Sequence, residues 1–232
     1  MTFSNKVKNL LIAAFCAVEI TFLVLLLTLG GDASRIISFV SIALAFAFSL
    51  LFVNFKNKNI FIQLGLMFTV CADVCLVLCQ PIKQSLGMVF FSFAQIVYFC
   101  KLLYETPSKK VRLANLISRC IAIILVQVLT IVVVGKTVDF LALISMFYYT
   151  NLILNIVFAF FNVKQNPYFA IGMVLFALCD TIIGLNVAIG TYITIPESSF
   201  LYQIAFSPFN WAWLFYLPSQ VCISISASKA AK

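Results

Sequence analysis

Two acidic residues draw attention by their surroundings. Asp73 ends the stretch Gly65-Leu-Met-Phe-Thr-Val-Cys-Ala-Asp73, and Asp180 ends Gly172-Met-Val-Leu-Phe-Ala-Leu-Cys-Asp180. Each is a lone carboxyl in a long apolar run, with a glycine eight positions before it. A carboxylate withdrawn from water is costly unless it is paired, hydrated or protonated, so such a residue is a functional candidate by default. Two carboxyls in one site can divide acid and base roles, one protonated and one ionised, as in glycosidases. The plainer alternative is a pair of structural acids that hold helices together by hydrogen bonds.

Other polar residues have helical spacing. Gln95 and Tyr98 lie three apart and share a helix face. Tyr148, Asn151, Asn155 and Asn162 form one polar stripe. Tyr216 and Gln220 follow the interfacial pair Trp211 and Trp213. Glu19 sits inside the first apolar run. It either joins the site or is a hydrated acid paired with a helix dipole, and the sequence favours neither. Cys71, Cys75 and Cys79 recur every four residues, but Asp73 is about 200° around a helix from the first two. The chain contains no histidine. No metal ligands and no cofactor are therefore expected, and the thiols read as small packing groups.

The elements that must carry these residues follow from composition. Hydrophobic residues make up 64% and charged residues 9% of the 232. A soluble domain is nearer half apolar and a quarter charged. The apolar runs are long and continuous, which suits spanning helices and not the alternation of a β-barrel. The net charge of +8 does not imply nucleic acid, because the basic residues cluster in short loops where orientation signals belong.

The expected fold is all-α, a polytopic membrane protein with a single domain over residues 1–232. Eight transmembrane helices are expected, near 9–29, 33–53, 60–79, 86–104, 113–134, 138–161, 168–187 and 208–226. Arg119 is close enough to a helix end to snorkel. Residues 188–207 form the one sizeable loop, a candidate cover for a site mouth. The first helix reads as retained and not as a cleaved signal. An even number of spans puts both termini on one side. Twelve of the 15 basic residues then fall on that side, and only Arg35, Lys83 and Lys136 on the other. Both termini are expected to be cytoplasmic, in a bacterial plasma membrane.

Orientation sets depth. Asp73 and Asp180 each lie about 11 Å from the outer end of their spans, and Gln95, Tyr148 and Tyr216 fall near the same level. Five spans thus place polar groups together, as a pocket in the outer half of the bundle. Each half of the chain holds four spans with its Asp in the third, which makes the halves parallel repeats.

This ordered set resembles the YhhN-type membrane proteins, the family that includes the animal lysoplasmalogenases (transmembrane protein 86). That family has eight helices, a Gly-Asp in the third, a His-x-x-Tyr in the fourth, a Ser-Asp in the seventh and a Tyr-x-x-x-Gln in the last. The corresponding residues here are Ala72-Asp73, Gln95-Ile-Val-Tyr98, Cys179-Asp180 and Tyr216-Leu-Pro-Ser-Gln220. Ala72, Gln95 and Cys179 depart from the family residues, and Arg35 stands in for a lysine of the second helix. The resemblance implies a hydrolase that cleaves the vinyl ether bond of lysoplasmalogens to a fatty aldehyde and a glycerophospho-alcohol. It implies a lipid as the partner, Asp73 and Asp180 as the catalytic pair, and Gln95, Tyr98, Tyr148, Asn151, Tyr216 and Gln220 as orienting or substrate-binding residues. The second reading is a non-enzymatic lipid- or solute-binding or transport protein, since intramembrane acids also serve proton coupling.

Overall fold

The computed structural model describes residues 4–29, 31–53 and 60–230. These are 85% helical, with no strand among the described residues. The helices are α1 (Asn5–Thr28), α2 (Gly31–Leu50), α3 (Ile60–Asp73), α4 (Gln84–Glu105), α5 (Lys109–Val134), α6 (Phe140–Phe161), α7 (Pro167–Thr191), α8 (Phe200–Ala205) and α9 (Trp211–Ala230). A five-residue π turn, Val74–Leu78, continues α3. Among the described residues seven helices, α1 to α7 with the π turn counted into the third, are long and apolar enough to cross a membrane, against the eight expected. The chain is an integral membrane protein.

Helix α5 shows the solvent for which these helices are built. Its buried residues are Asn115, Arg119 and Thr130, while Ile121, Ile124, Leu125, Val128, Leu129 and Val132 face outward. Polar groups inside and aliphatic groups outside reverse the pattern of a soluble helix, as a lipid environment requires. Helix α9 is the opposite case. It packs against α1, α2, α3 and α7 and buries Ser219, Gln220, Ser224, Ser226 and Ser228. Its neighbours are protein and not lipid, so these polar side chains are accommodated by partners inside the bundle. Ser224 donates to the carbonyl of Ala45 on α2 at 2.7 Å, and Lys8 near the start of α1 donates to the carbonyl of Ser228. The start of α1 and the end of α9 therefore meet at one end of the bundle.

Local signals set the boundaries. Asn166 caps α7 by accepting from the Phe169 amide at 3.3 Å, with Pro167 in the first turn. Asp139 caps α6 by accepting from the Ala142 amide at 2.8 Å. The Tyr192 hydroxyl, at the end of α7, donates to the same carboxyl at 2.7 Å. Those two donors hold the Asp139 carboxyl below the usual carboxylate range.

Three sequence expectations change. Arg119 does not snorkel: it is 5% exposed and turns inward between α5 and α6, because three asparagine side chains offer it acceptors there. Helix α7 runs on to Thr191, and the segment after it contains α8, which packs on α7. Asn186 of α7 donates to the carbonyl of Ala205 in α8 at 3.0 Å, so that segment is fastened down. The third helix ends in a π turn and not a regular one. Lys56, Lys58, Lys232 and the side chain of Lys229 lie outside the described residues.

Candidate functional site

Asp73 is the last of the 14 residues of α3, and Asp180 is the fourteenth residue of α7 counted from Pro167. Each acid is thus the fourteenth helical residue from the start of its helix; five helical residues follow Asp73, and eleven follow Asp180. Asp73 accepts from the hydroxyl of Tyr216 on α9 at 2.7 Å. Asp180 accepts from the hydroxyl of Tyr148 on α6. Each acid is thus paired with a tyrosine from another helix, which meets the demand that a buried polar group be hydrogen-bonded.

An aromatic cluster joins the two pairs. Phe91 of α4 lies 5.5 Å from the Tyr148 ring and 6.5 Å from the Tyr216 ring, centroid to centroid. Phe176 of α7 lies 6.3 and 5.5 Å from the same two rings. These separations suit edge-to-face and tilted packing. Asp73 and Asp180 are within electrostatic reach of each other, and the buried Cys179 is within reach of both. The exposures differ: Asp73 is buried, whereas Asp180 is half-buried.

The two glycines that precede the acids allow close approaches. A Cβ on Gly65 would meet the Tyr98 ring at 2.1 Å. A Cβ on Gly172 would meet Ile223 at 2.7 Å and the Ser219 carbonyl at 3.0 Å. The first glycine admits a side chain of α4, and the second admits the backbone of α9. Each sits two turns before its aspartate and fixes how closely the neighbouring helix can pack there.

The remaining candidates divide between two places. Tyr98 is buried against Gly65 and packs edge-on to Phe169 at 5.4 Å. Gln220 is buried next to Ser219, with its side-chain oxygen unpartnered. Gln95 and Asn151 belong to a separate network. Asn155 donates to the backbone and side-chain oxygens of Gln95, both at 2.9 Å. Arg119 donates to Asn151 Oδ1 at 2.6 Å and to Asn155 Oδ1 at 2.8 Å. Its guanidinium lies 4.0 Å from the Phe99 ring centroid. Glu19 is buried apart from the aspartates and accepts from Ser41 at 2.5 Å.

Sequence reasoning missed Phe91 and Phe176, because phenylalanine is too common in this chain to carry a signal. It also missed the π turn directly after Asp73, where the Cys79 amide bonds to the Val74 carbonyl at 2.9 Å. Such turns occur often at functional positions. Among the described residues no three His, Cys, Asp or Glu side chains are grouped so as to hold a metal ion. The arrangement can do acid–base chemistry at a polar point walled by aromatic rings.

No curated protein and no solved structure matches the chain. Residues 33–227 match the YhhN family, a span that contains both acid–tyrosine pairs and most of the chain. The chain belongs to the YhhN family.

Proposed function

We propose that the protein is a lysoplasmalogenase-like hydrolase, in which Asp73 and Asp180 cleave the vinyl ether bond of a lysoplasmalogen. The observation that carries this reading is the convergence of two acid–tyrosine pairs on the Phe91–Phe176 cluster. Family membership supports it. A vinyl ether is cleaved when a protonated carboxyl delivers its proton to the alkenyl carbon remote from oxygen. The resulting oxocarbenium ion is captured by water, and the hemiacetal collapses to an aldehyde and the glycerol alcohol. An ionised carboxylate nearby stabilises the cation and takes a proton from the water, a division of labour known from glycosidases.

The half-buried Asp180 is the side from which water can arrive, so it takes the water-activating role, and the enclosed Asp73 delivers the proton. Tyr148 and Tyr216 orient the two carboxyls, and the aromatic walls border the cationic intermediate. In this reading α9 is an eighth spanning helix, polar because protein surrounds it. The single bundle then has both termini on the cytoplasmic side, in keeping with the charge asymmetry. The test is aldehyde release from a lysoplasmalogen by purified protein in detergent; a failure to release aldehyde from any lysoplasmalogen removes the reading.

A second reading, lipid binding without chemistry, is favoured by one observation. A cavity of about 560 Å³ between α1, α7 and α9 is lined by Ile12, Ala13, Cys16 and Ile225, with Asn5, Lys8, Asn9 and Tyr168 at its polar end. Its volume falls in the range of ligand pockets, and its lining residues do not include either aspartate.

A further inference from the structure

The network around Arg119 has an excess of donors. Its guanidinium bonds Oδ1 of Asn151 at 2.6 Å, Asn155 at 2.8 Å and Asn115 at 3.5 Å. It also reaches the Asn151 backbone carbonyl at 3.5 Å, and all of these acceptors are neutral. No carboxylate pairs with Arg119 among the described residues, where the ion pairs are Arg35–Asp32 and Lys101–Glu105. The amide orientations are fixed by their partners. Asn151 Nδ2 donates to the Phe147 carbonyl at 2.8 Å, and Asn155 Nδ2 donates to both oxygens of Gln95. This accounting leaves Arg119 Nε and Gln95 Nε2 buried with nothing to donate to. Both orphans are donors. A buried charge without a counter-ion and unmet buried donors are each destabilising, and an acceptor-only anion would relieve all of them.

We propose that Arg119 and Gln95 form a binding site for a phosphate-type oxyanion, and that this site holds the headgroup phosphate of the lipid on which the aspartate pair acts. The inference rests on the reading of that pair as a lipid site. Its geometry comes from α6. Tyr148 bonds Asp180, and Asn151, three residues on, bonds Arg119. The two contacts are therefore about 4.5 Å apart along the helix axis. A glycerol backbone, with bonds of about 1.5 Å, reaches from a reacting ether oxygen to a phosphate over a comparable distance. Asn151 lies on the side of Tyr148 nearer to the end of the bundle where the start of α1 meets the end of α9. The headgroup thus points to that end and the hydrocarbon chain away from it. Arginine is suited to the task because its fixed fork of donors matches phosphate oxygens.

The experiment measures binding without turnover. The melting midpoint of the detergent-purified protein is followed with a saturated 1-O-alkyl lysophosphoethanolamine, a 1-O-alkylglycerol of equal chain length, or inorganic phosphate. None of these can be cleaved at a vinyl ether. The expected result is stabilisation by the lysophospholipid and not by the alkylglycerol, with R119Q requiring about 10- to 100-fold more lipid for the same shift. Equal stabilisation by the two lipids, or an unchanged lipid requirement in a folded R119Q, overturns the proposal. A shift by inorganic phosphate alone that is lost in R119Q upholds the oxyanion site and makes the free anion its ligand. Should R119Q fail to fold, the wild-type comparison of the two lipids decides. Aldehyde release from a lysoplasmalogen is assayed in parallel. Its absence, alongside phosphate-dependent stabilisation, would remove the hydrolase reading and leave the oxyanion site standing.

Discussion

The two acid–tyrosine pairs use the same parts in different settings. Asp73 is 3% exposed, ends its α-helix at a π turn, and bonds a tyrosine that also packs against Trp213 at 5.1 Å. Asp180 is half-buried, lies within a regular helix, and bonds a tyrosine of α6. The glycine before the first acid makes room for a ring, and the glycine before the second makes room for a helix backbone. Matching sequence context therefore does not mean matching environment. One acid is enclosed by packing and the other keeps part of its surface exposed, an asymmetry that the proposed two-carboxyl mechanism would use.

The largest expected effect comes from the acids. Asp73→Asn and Asp180→Asn should each reduce aldehyde release by at least about 10²–10⁴-fold, the worth of general acid–base catalysis. Both variants should remain folded by size-exclusion profile. Wild-type turnover in either one removes that pair from the chemistry and breaks the comparison.

The glycines come next. Gly172→Ala should lower stability more than Gly65→Ala, within the roughly 1–3 kcal/mol typical of overpacking. The added methyl at residue 172 meets the Ser219 carbonyl and the Ile223 amide nitrogen at 3.0 and 3.1 Å, and backbone cannot turn aside. Thermal melts in one detergent check the order; a reversed order would show that the Tyr98 ring is the more rigid neighbour.

The tyrosines test enclosure. Tyr216→Phe leaves a buried carboxyl without its donor, a loss of about 1–3 kcal/mol. Tyr148→Phe should lose less, because water can replace the hydroxyl at the half-buried Asp180. Equal losses would mean that the two pairs are equally closed.

The smallest effect is at the end of α6. The Asp139 carboxyl is held below its usual range by the Ala142 amide and then by Tyr192. Its contribution is complete above the ordinary carboxylate value of about 3.9 and is lost as pH falls through the lower folded-state value. Asp139→Ala should therefore lower the melting midpoint slightly at neutral pH and not at all at strongly acid pH.

Much of this was legible in the sequence. Long apolar runs marked eight spans, of which seven are long and apolar enough to cross a membrane among the described residues, and the isolated acids in them marked the residues that the structure pairs with tyrosines. The count that puts Asp73 and Asp180 equally far from the outer ends of their spans is changed by the helix ends, since five helical residues follow Asp73 and eleven follow Asp180. The partners did not follow. Nothing in a single sequence says that Tyr216 turns to Asp73 and Tyr148 to Asp180, because that depends on which helices are neighbours. Arg119 was misread for a related reason. Proximity to a helix end suggests snorkelling, but Asn115, Asn151 and Asn155 come together only once α5 packs on α6, and they give it a better destination. The π turn has no sequence mark at all. The last span, expected near 208–226, is the one that composition does not rank with the other seven; the helix there buries serines and Gln220 against protein neighbours, and composition alone does not reveal whether a helix faces protein or lipid.

The central claim is that the aspartate pair protonates a vinyl ether at carbon. It is tested most directly by running the hydrolysis of a lysoplasmalogen in heavy water and trapping the aldehyde at once by reduction. The expected product carries one deuterium on the carbon next to the former aldehyde carbon, and none forms with Asp73→Asn or Asp180→Asn. An aldehyde without deuterium at that carbon, or a labelled product from either variant at the wild-type rate, would contradict the account.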